Sequence, residues 1–153
     1  MSFENAKLHI EKYNLENNIV IHKELIATVE LAAEQIGCSE AQIAKSLTFK
    51  VNDEPVMVVL AGDKKIDNKK FKDFFNTKAK MLKAEEAVEL VGHEVGGVCP
   101  FGIKEEVKVY LDNSLKEHKI VYPACGSKDS SIKLTIDELE TVSNSISWID
   151  ISK

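Results

Sequence analysis

The chain has 153 residues, enough for one domain whose hydrophobic core needs no covalent staples. With 44% hydrophobic and 29% charged residues it is neither disordered nor fibrous, and no apolar run approaches the roughly 18 residues that cross a bilayer. A formal net charge of -5 excludes a uniformly basic surface of the kind that wraps DNA.

Ser2 is expected to cap a first helix with Phe3, Ala6, Ile10 and Tyr13 on one face. Its mixed charge is unlike a secretory signal, so a cytoplasmic protein is expected. Ile19, Val20 and Ile21 predict a short strand. Thr28 caps a helix whose Val29, Ala32, Ala33 and Ile36 share a face, and Gly37 stops it. Ser39 with Gln42 forms a capping box, which predicts a further helix ending near Lys45. The period then changes to two: Leu47, Phe49 and Val51 alternate with Ser46, Thr48 and Lys50. A turn at residues 52–55 leads into the apolar run 56–60, predicting a hairpin whose second strand is buried on both faces.

Asp67 caps a lysine-rich helix with Phe71, Phe74 and Phe75 on its inner side. Met81 and Leu82 predict a short strand, and residues 84–91 a helix stopped by Gly92. Residues 107–111 and 119–122 predict two more strands, and Ile132, Leu134 and Ile136 alternate across another. Thr135 and Glu138 box the start of a helix over 137–142, and residues 147–149 close the sheet. Hairpins interleaved with helices indicate a single α+β domain with a mixed sheet.

Three features could carry chemistry. Residues 92–102 hold four of the seven glycines, and successive N–H groups in such a loop can bind an anion or a developing oxyanion. The spacing matches no phosphate-loop or dinucleotide fingerprint, and a tight structural turn explains it equally well. Lys45 stands at the expected helix–strand junction, where a lysine usually complements a helix dipole. Residues 124–128 form a second glycine-bearing loop. Eight lysines between 64 and 83 face only Asp67 and Asp73, a local excess suited to phosphates or merely a solvated helix face. All 20 basic residues are lysine, so any phosphate contact uses point charges or backbone N–H groups. The scattered cysteines Cys38, Cys99 and Cys125 form no disulfide framework, and with four unclustered histidines they form no metal site.

In order, these pieces resemble one family. Thr28, Ala32-Ala33 and Gly37 are followed by 43–49, by Ala61-Gly62-Asp63, by Gly92, Gly96-Gly97-Val98 and Pro100-Phe101-Gly102, by Tyr110-Leu111-Asp112 with Ser114-Leu115, and by Gly126-Ser127. This order resembles the YbaK/ProX family, stand-alone relatives of the editing domain of bacterial prolyl-tRNA synthetase. The likeness spans about 28–139 and treats 1–153 as one domain.

The resemblance implies a compact α+β domain with a mixed, barrel-like sheet flanked by helices. It also implies an aminoacyl-tRNA deacylase that hydrolyses the ester of a mischarged tRNA in trans. The expected substrate is proline tRNA carrying alanine, cysteine or a similar small amino acid. Lys45 matches the family's functional lysine and would hold the terminal nucleotide. Gly96 and Gly97 match its glycine loop and would border the aminoacyl carbonyl. Thr28, Phe49, Pro100, Phe101, Asp112, Gly126 and Ser127 are expected to bind substrate, and Lys64, Lys65, Lys69 and Lys70 the tRNA. No cofactor, metal, membrane or DNA is implied, and prolyl-tRNA synthetase is a candidate partner. The substrate's 2′-hydroxyl would help the attacking water. Where the cysteine-clearing branch commonly has serine, this chain has Ala124, which weakens cysteine specificity. Two readings from other classes compete: a non-catalytic module that binds aminoacyl-tRNA or a synthetase, and a thiol hydrolase using Cys99 or Cys125.

Overall fold

The computed structural model describes residues 2–153. Its centre is a hairpin of β2 (Ile43–Val51) and β3 (Glu54–Ala61), joined at Asn52 and Asp53. Both turn residues have positive φ, 51° and 65°, which the two-residue turn matching the strands' twist requires. β3 is buried from Pro55 to Ala61, as its unbroken apolar run predicts. It is covered on both faces.

Around this hairpin stand β4 (Lys108–Asp112), β5 (Ile120–Pro123), β7 (Leu134–Thr135) and β8 (Ser147–Ile149). The order is β7-β5-β2-β3-β4-β8, mixed in direction and curled into a half-barrel. β2 runs antiparallel to β3 but parallel to β5, and β4 runs parallel to both β3 and β8. β1 (Ile19–Ile21) and β6 (Ser130–Ile132) form a separate antiparallel pair.

Helices cover the two faces unequally. α1 (Ser2–Glu11) and α5 (Ile136–Val142) bury Ala6, Ile10, Leu139 and Val142 in the larger core, against Met57, Val59 and Leu111, and α4 (Ala84–Leu90) packs the half-buried Leu90 against it. α3 (Asn68–Phe75) covers the opposite face, where Phe71 meets Phe49 with ring centroids 4.8 Å apart. That helix is lysine-rich, and burying a ring of this size contributes about 1.5–3 kcal/mol to holding it down. α2 (Val29–Ile36) packs Ala32 and Ala33 against Ile26 and Ile43 in a third, smaller cluster.

Three caps form as expected. Thr28 Oγ1 accepts from Leu31 N, Asp67 Oδ1 from Lys69 N and Lys70 N, and Thr135 Oγ1 from Glu138 N. Other expectations need correction. The box at Ser39 and Gln42 opens only a 3-10 turn, Glu40–Gln42, because Ile43 already pairs with Tyr122 in the sheet. Lys45 therefore sits within β2, opposite Leu60, and not at a helix end. Ser2 lies inside α1, where its hydroxyl serves the loops described below. The alternation over 132–136 is not one strand: β6 and β7 pair with different partners, and Ile136 begins α5. Met81 makes a single bridge to Phe49, and Phe74 is 45% exposed.

Candidate functional site

A cleft of about 400 Å³ opens between α2, one side of β2, and the loops before β4 and after β5. One wall is aliphatic, with Ile26, Val29, Ala32, Ile36 and Ile43, and Tyr122 beside them. The other is formed by Leu82, Ala87, Val95, Gly96 and Val98, with Met81 at its edge. Thr28, Lys45, Ser46, Thr48 and Ser131 supply polar groups. Among the described residues, no histidine, cysteine or carboxylate lines it.

Lys45 is the only charged residue of the lining among those described. Its Nζ donates to the carbonyl of Gly62 at 3.2 Å and to the carbonyl of Lys64. An ammonium has three N–H donors, so one remains for a ligand. Burial pulls the Lys45 pKa below its ordinary value, while Asp63 and Glu30 act in the opposite direction. Gly62 permits this arrangement: a Cβ there would stand 2.2 Å from the Glu40 carbonyl oxygen and 2.8 Å from Val29 Cγ1.

The glycine loop divides into two roles. Gly97 is structural: its N–H donates to the Glu94 carbonyl at 3.0 Å, and its own carbonyl accepts from Gly126 N at 3.1 Å. Gly96 lines the cleft with φ at +96°, and its N–H has no partner among the described residues. The aliphatic stem of Lys128 lies over it, so near that a Cβ on Gly96 would be 2.8 Å from Lys128 Cγ.

Thr28, Lys45 and Gly96 are thus brought to one cleft, and the remaining expected residues lie elsewhere. Phe49 points to the α3 face, and Phe101 is fully buried in the larger core beside His9. Pro100 lines a different cavity, near α1. Asp112 is fully buried, and its carboxylate accepts from Ser114 N, Ile151 N and Ser152 Oγ, which fastens the C-terminal segment. Gly126 packs under α1, and Ser127 Oγ bonds Asp129 and Ser130. Among the lysines, Lys65 and Lys69 are exposed, whereas Lys70 Nζ is held by Asp150 at 3.1 Å and the Ser152 carbonyl at 2.9 Å.

Neither buried thiol is poised for attack. Burial raises the Cys99 pKa well above its ordinary value and pushes Cys125 up to about 12. A thiol that stays protonated is a poor nucleophile. Sequence reasoning missed Ile26, Tyr122, Leu82 and Ser131, which come from four separate segments and carry no shared local pattern.

The geometry can be set beside known proteins. Residues 23–142 match the aminoacyl-tRNA editing domain model. The uncharacterised protein YwhH of Bacillus subtilis (strain 168) is 49% identical over 100% of this chain and 98% of its own length. The proline–tRNA ligase of Halalkalibacterium halodurans is 30% identical over 78% of this chain, which spans only 21% of that enzyme. Among solved structures, a protein proposed as a trans-editing enzyme for prolyl tRNA synthetase superposes with a TM-score of 0.89 at 24% identity, covering 99% of this chain and 97% of that one.

Proposed function

The chain belongs to the aminoacyl-tRNA editing domain family, and from that premise we propose that it is a hydrolase that cleaves the ester of a mischarged tRNA in trans. The reading takes residues 1–153 as one editing-type domain working in the cytoplasm. Its substrate is proline tRNA carrying alanine, cysteine or a similarly small residue, and prolyl-tRNA synthetase is its candidate partner. The proline–tRNA ligase relatives support the choice of tRNA.

The observation that carries the proposal is that Lys45 and Gly96 line one largely apolar cleft. The remaining N–H of Lys45 suits a phosphate or ribose oxygen of the terminal nucleotide, and Thr28 lines the same cleft. The aliphatic wall suits a small side chain. Gly96 N–H is available to the carbonyl oxygen as negative charge develops on it. Water adds to that carbonyl, the bond to the ribose oxygen breaks, and the ribose oxygen takes a proton. Free amino acid and tRNA result.

Among the described residues of the lining no carboxylate, imidazole or thiol can take the water's proton, so the substrate's own neighbouring hydroxyl relays it, accepting from the water while donating its own proton to the departing ribose oxygen. Such an enzyme has a clear use. A synthetase pocket discriminates one methylene by only about 1–3 kcal/mol, so a second sieve must clear the errors.

The test is deacylation of alanyl-, cysteinyl-, seryl- and 2-aminobutyryl-tRNA by the native chain and by Lys45→Ala. Turnover of at least one substrate, lost in the variant, is expected. No turnover on any would sink the enzyme, and equal rates in the variant would remove Lys45 from its role.

A further inference from the structure

His93 follows α4 by three residues and is fully buried, yet both ring nitrogens are engaged. Nε2 lies 2.6 Å from the Phe101 carbonyl oxygen, and Nδ1 lies 2.5 Å from Ser2 Oγ. Ser2 Oγ in turn lies 2.6 Å from the Gly126 carbonyl oxygen. On its other side the Gly126 N–H donates to the Gly97 carbonyl. One line of contacts therefore runs from Phe101 through His93, Ser2 and Gly126 to Gly97, the neighbour of the cleft residue Gly96.

The number of protons on this line decides which of its bonds exist. Both terminal carbonyls can only accept, so the three contacts from Phe101 to Gly126 need three protons. The Ser2 hydroxyl has one. A neutral imidazole supplies one more, which belongs on Nε2: the Phe101 oxygen, at 2.6 Å, cannot donate, and the Cys99 thiol, 3.4 Å from the same nitrogen, has the Phe101 oxygen as its own acceptor. Nδ1 then accepts from Ser2, and the Gly126 carbonyl receives nothing. An imidazolium supplies two: Nε2 donates to Phe101, Nδ1 donates to Ser2, and Ser2 donates to Gly126.

We propose that Ser2 and His93 are positioning residues for the glycine loop, and that protonation of His93 closes the line of hydrogen bonds from α1 to Gly126 and Gly97. Neutral His93 leaves the Ser2 hydroxyl to choose between two acceptors, and the pair of loops beside the cleft is held less firmly. The inference rests on the deacylase reading only where it concerns turnover.

The titratable groups on the segments packed around the ring are Glu4, Lys7, His9 and Glu11 on α1, Glu94 and Cys99 in the loop, and Cys125, Lys128 and Asp129 after β5. Of these, Cys99 meets the ring, with Sγ 3.4 Å from Nε2. Burial is the larger influence on His93 and holds its pKa below the ordinary value, while the Phe101 carbonyl opposes it. At neutral pH the line is therefore open, and acidification closes it. α1 lies outside residues 23–142, the span of the family model, while His93, Gly97 and Gly126 lie within it.

The experiment follows the His93 ring and the Gly97 and Gly126 amides by NMR as the pH is lowered, in the native chain, Ser2→Ala and Ser2→Thr. In the native chain the two amides are expected to shift with the midpoint of His93. In Ser2→Ala the ring still titrates but the amides do not follow, and the hydroxyl of Ser2→Thr restores the link. Amides that ignore His93, or follow it equally in Ser2→Ala, overturn the proposal. In deacylation assays kcat is expected to follow the same titration while KM stays constant. A coupled titration in a chain that hydrolyses no aminoacyl-tRNA would sink the enzyme reading and leave this one standing.

Discussion

Gly97 and Gly126 lie back to back. The Gly126 N–H donates to the Gly97 carbonyl at 3.1 Å, and a Cβ on Gly97 would stand 2.7 Å from the Gly126 carbonyl carbon and 2.6 Å from Ser127 N. Two loops far apart in sequence meet here without room for a methyl group.

Gly97→Ala must therefore part the two loops, and overpacking of this kind costs about 1–3 kcal/mol. Gly37→Ala offers a contrast. Gly37 has φ at +82° but nothing within 4 Å of a built Cβ, so only backbone strain of about 1–2 kcal/mol remains. Urea denaturation should show both variants destabilised, with deacylation reduced beyond the loss of folded protein in Gly97→Ala alone. Full activity in folded Gly97→Ala would show that the cleft tolerates separation of its loops.

Lys65 and Lys69 are exposed, while the Lys70 ammonium is already held by Asp150 and Ser152. Removing one lysine that neutralises a phosphate lowers the slope of log K against log salt by about 0.7–0.9. Lys65→Ala and Lys69→Ala should each flatten the salt dependence of tRNA binding by about that amount, and Lys70→Ala by less. Binding isotherms from low to moderate salt provide the check. Identical slopes in all three variants would place the tRNA elsewhere on the molecule.

Stability should fall on mild acidification. Burial holds the folded His93 pKa below its ordinary value of 6.5, and burial lowers His22 likewise, against the pull of Asp129. The unfolded chain therefore binds more protons as pH drops through about 6.5, and the free energy of unfolding declines with it. Above that pH both states are neutral at these rings, and the contribution is constant. Carboxylates such as Glu86, held low by Lys50, act only below their ordinary value of 4.5. Denaturation midpoints between pH 7.5 and 5.5 should show the decline, which His93→Gln should reduce. A flat profile across that window would mean that His93 and His22 both accept their protons as easily folded as unfolded.

The legible parts of the fold were those whose causes are local. Val56 to Leu60 announced a strand covered on both faces, and Thr28, Asp67 and Thr135 announced helix starts, because a cap bonds within three residues of itself. Ser39 and Gln42 misled because the capping box is real but the next residues belong to a sheet: Ala44 pairs with both Ala61 and Pro123. Tertiary pairing overrode a local signal there.

The candidate site was legible only in part. Lys45 and Gly96 were found through their order along the chain, and they do meet at one cleft. Phe49 and Asp112 share that order but serve the α3 core and the C-terminal segment. A motif records which residues occur together without recording which of them face the cavity. Alternation along β2 does not separate them: Lys45 and Phe49 share its odd positions, yet Lys45 lines the cleft and Phe49 the α3 core.

The ammonium of Lys45 is moored to the main chain at Gly62 and Lys64, and Lys65 follows at once, with Lys69 the second residue of the helix beyond. A side chain on a rigid central strand thus takes its aim from a connecting segment outside the sheet. The stretch of chain that carries the exposed lysines is also the rudder for the Lys45 charge at the cleft.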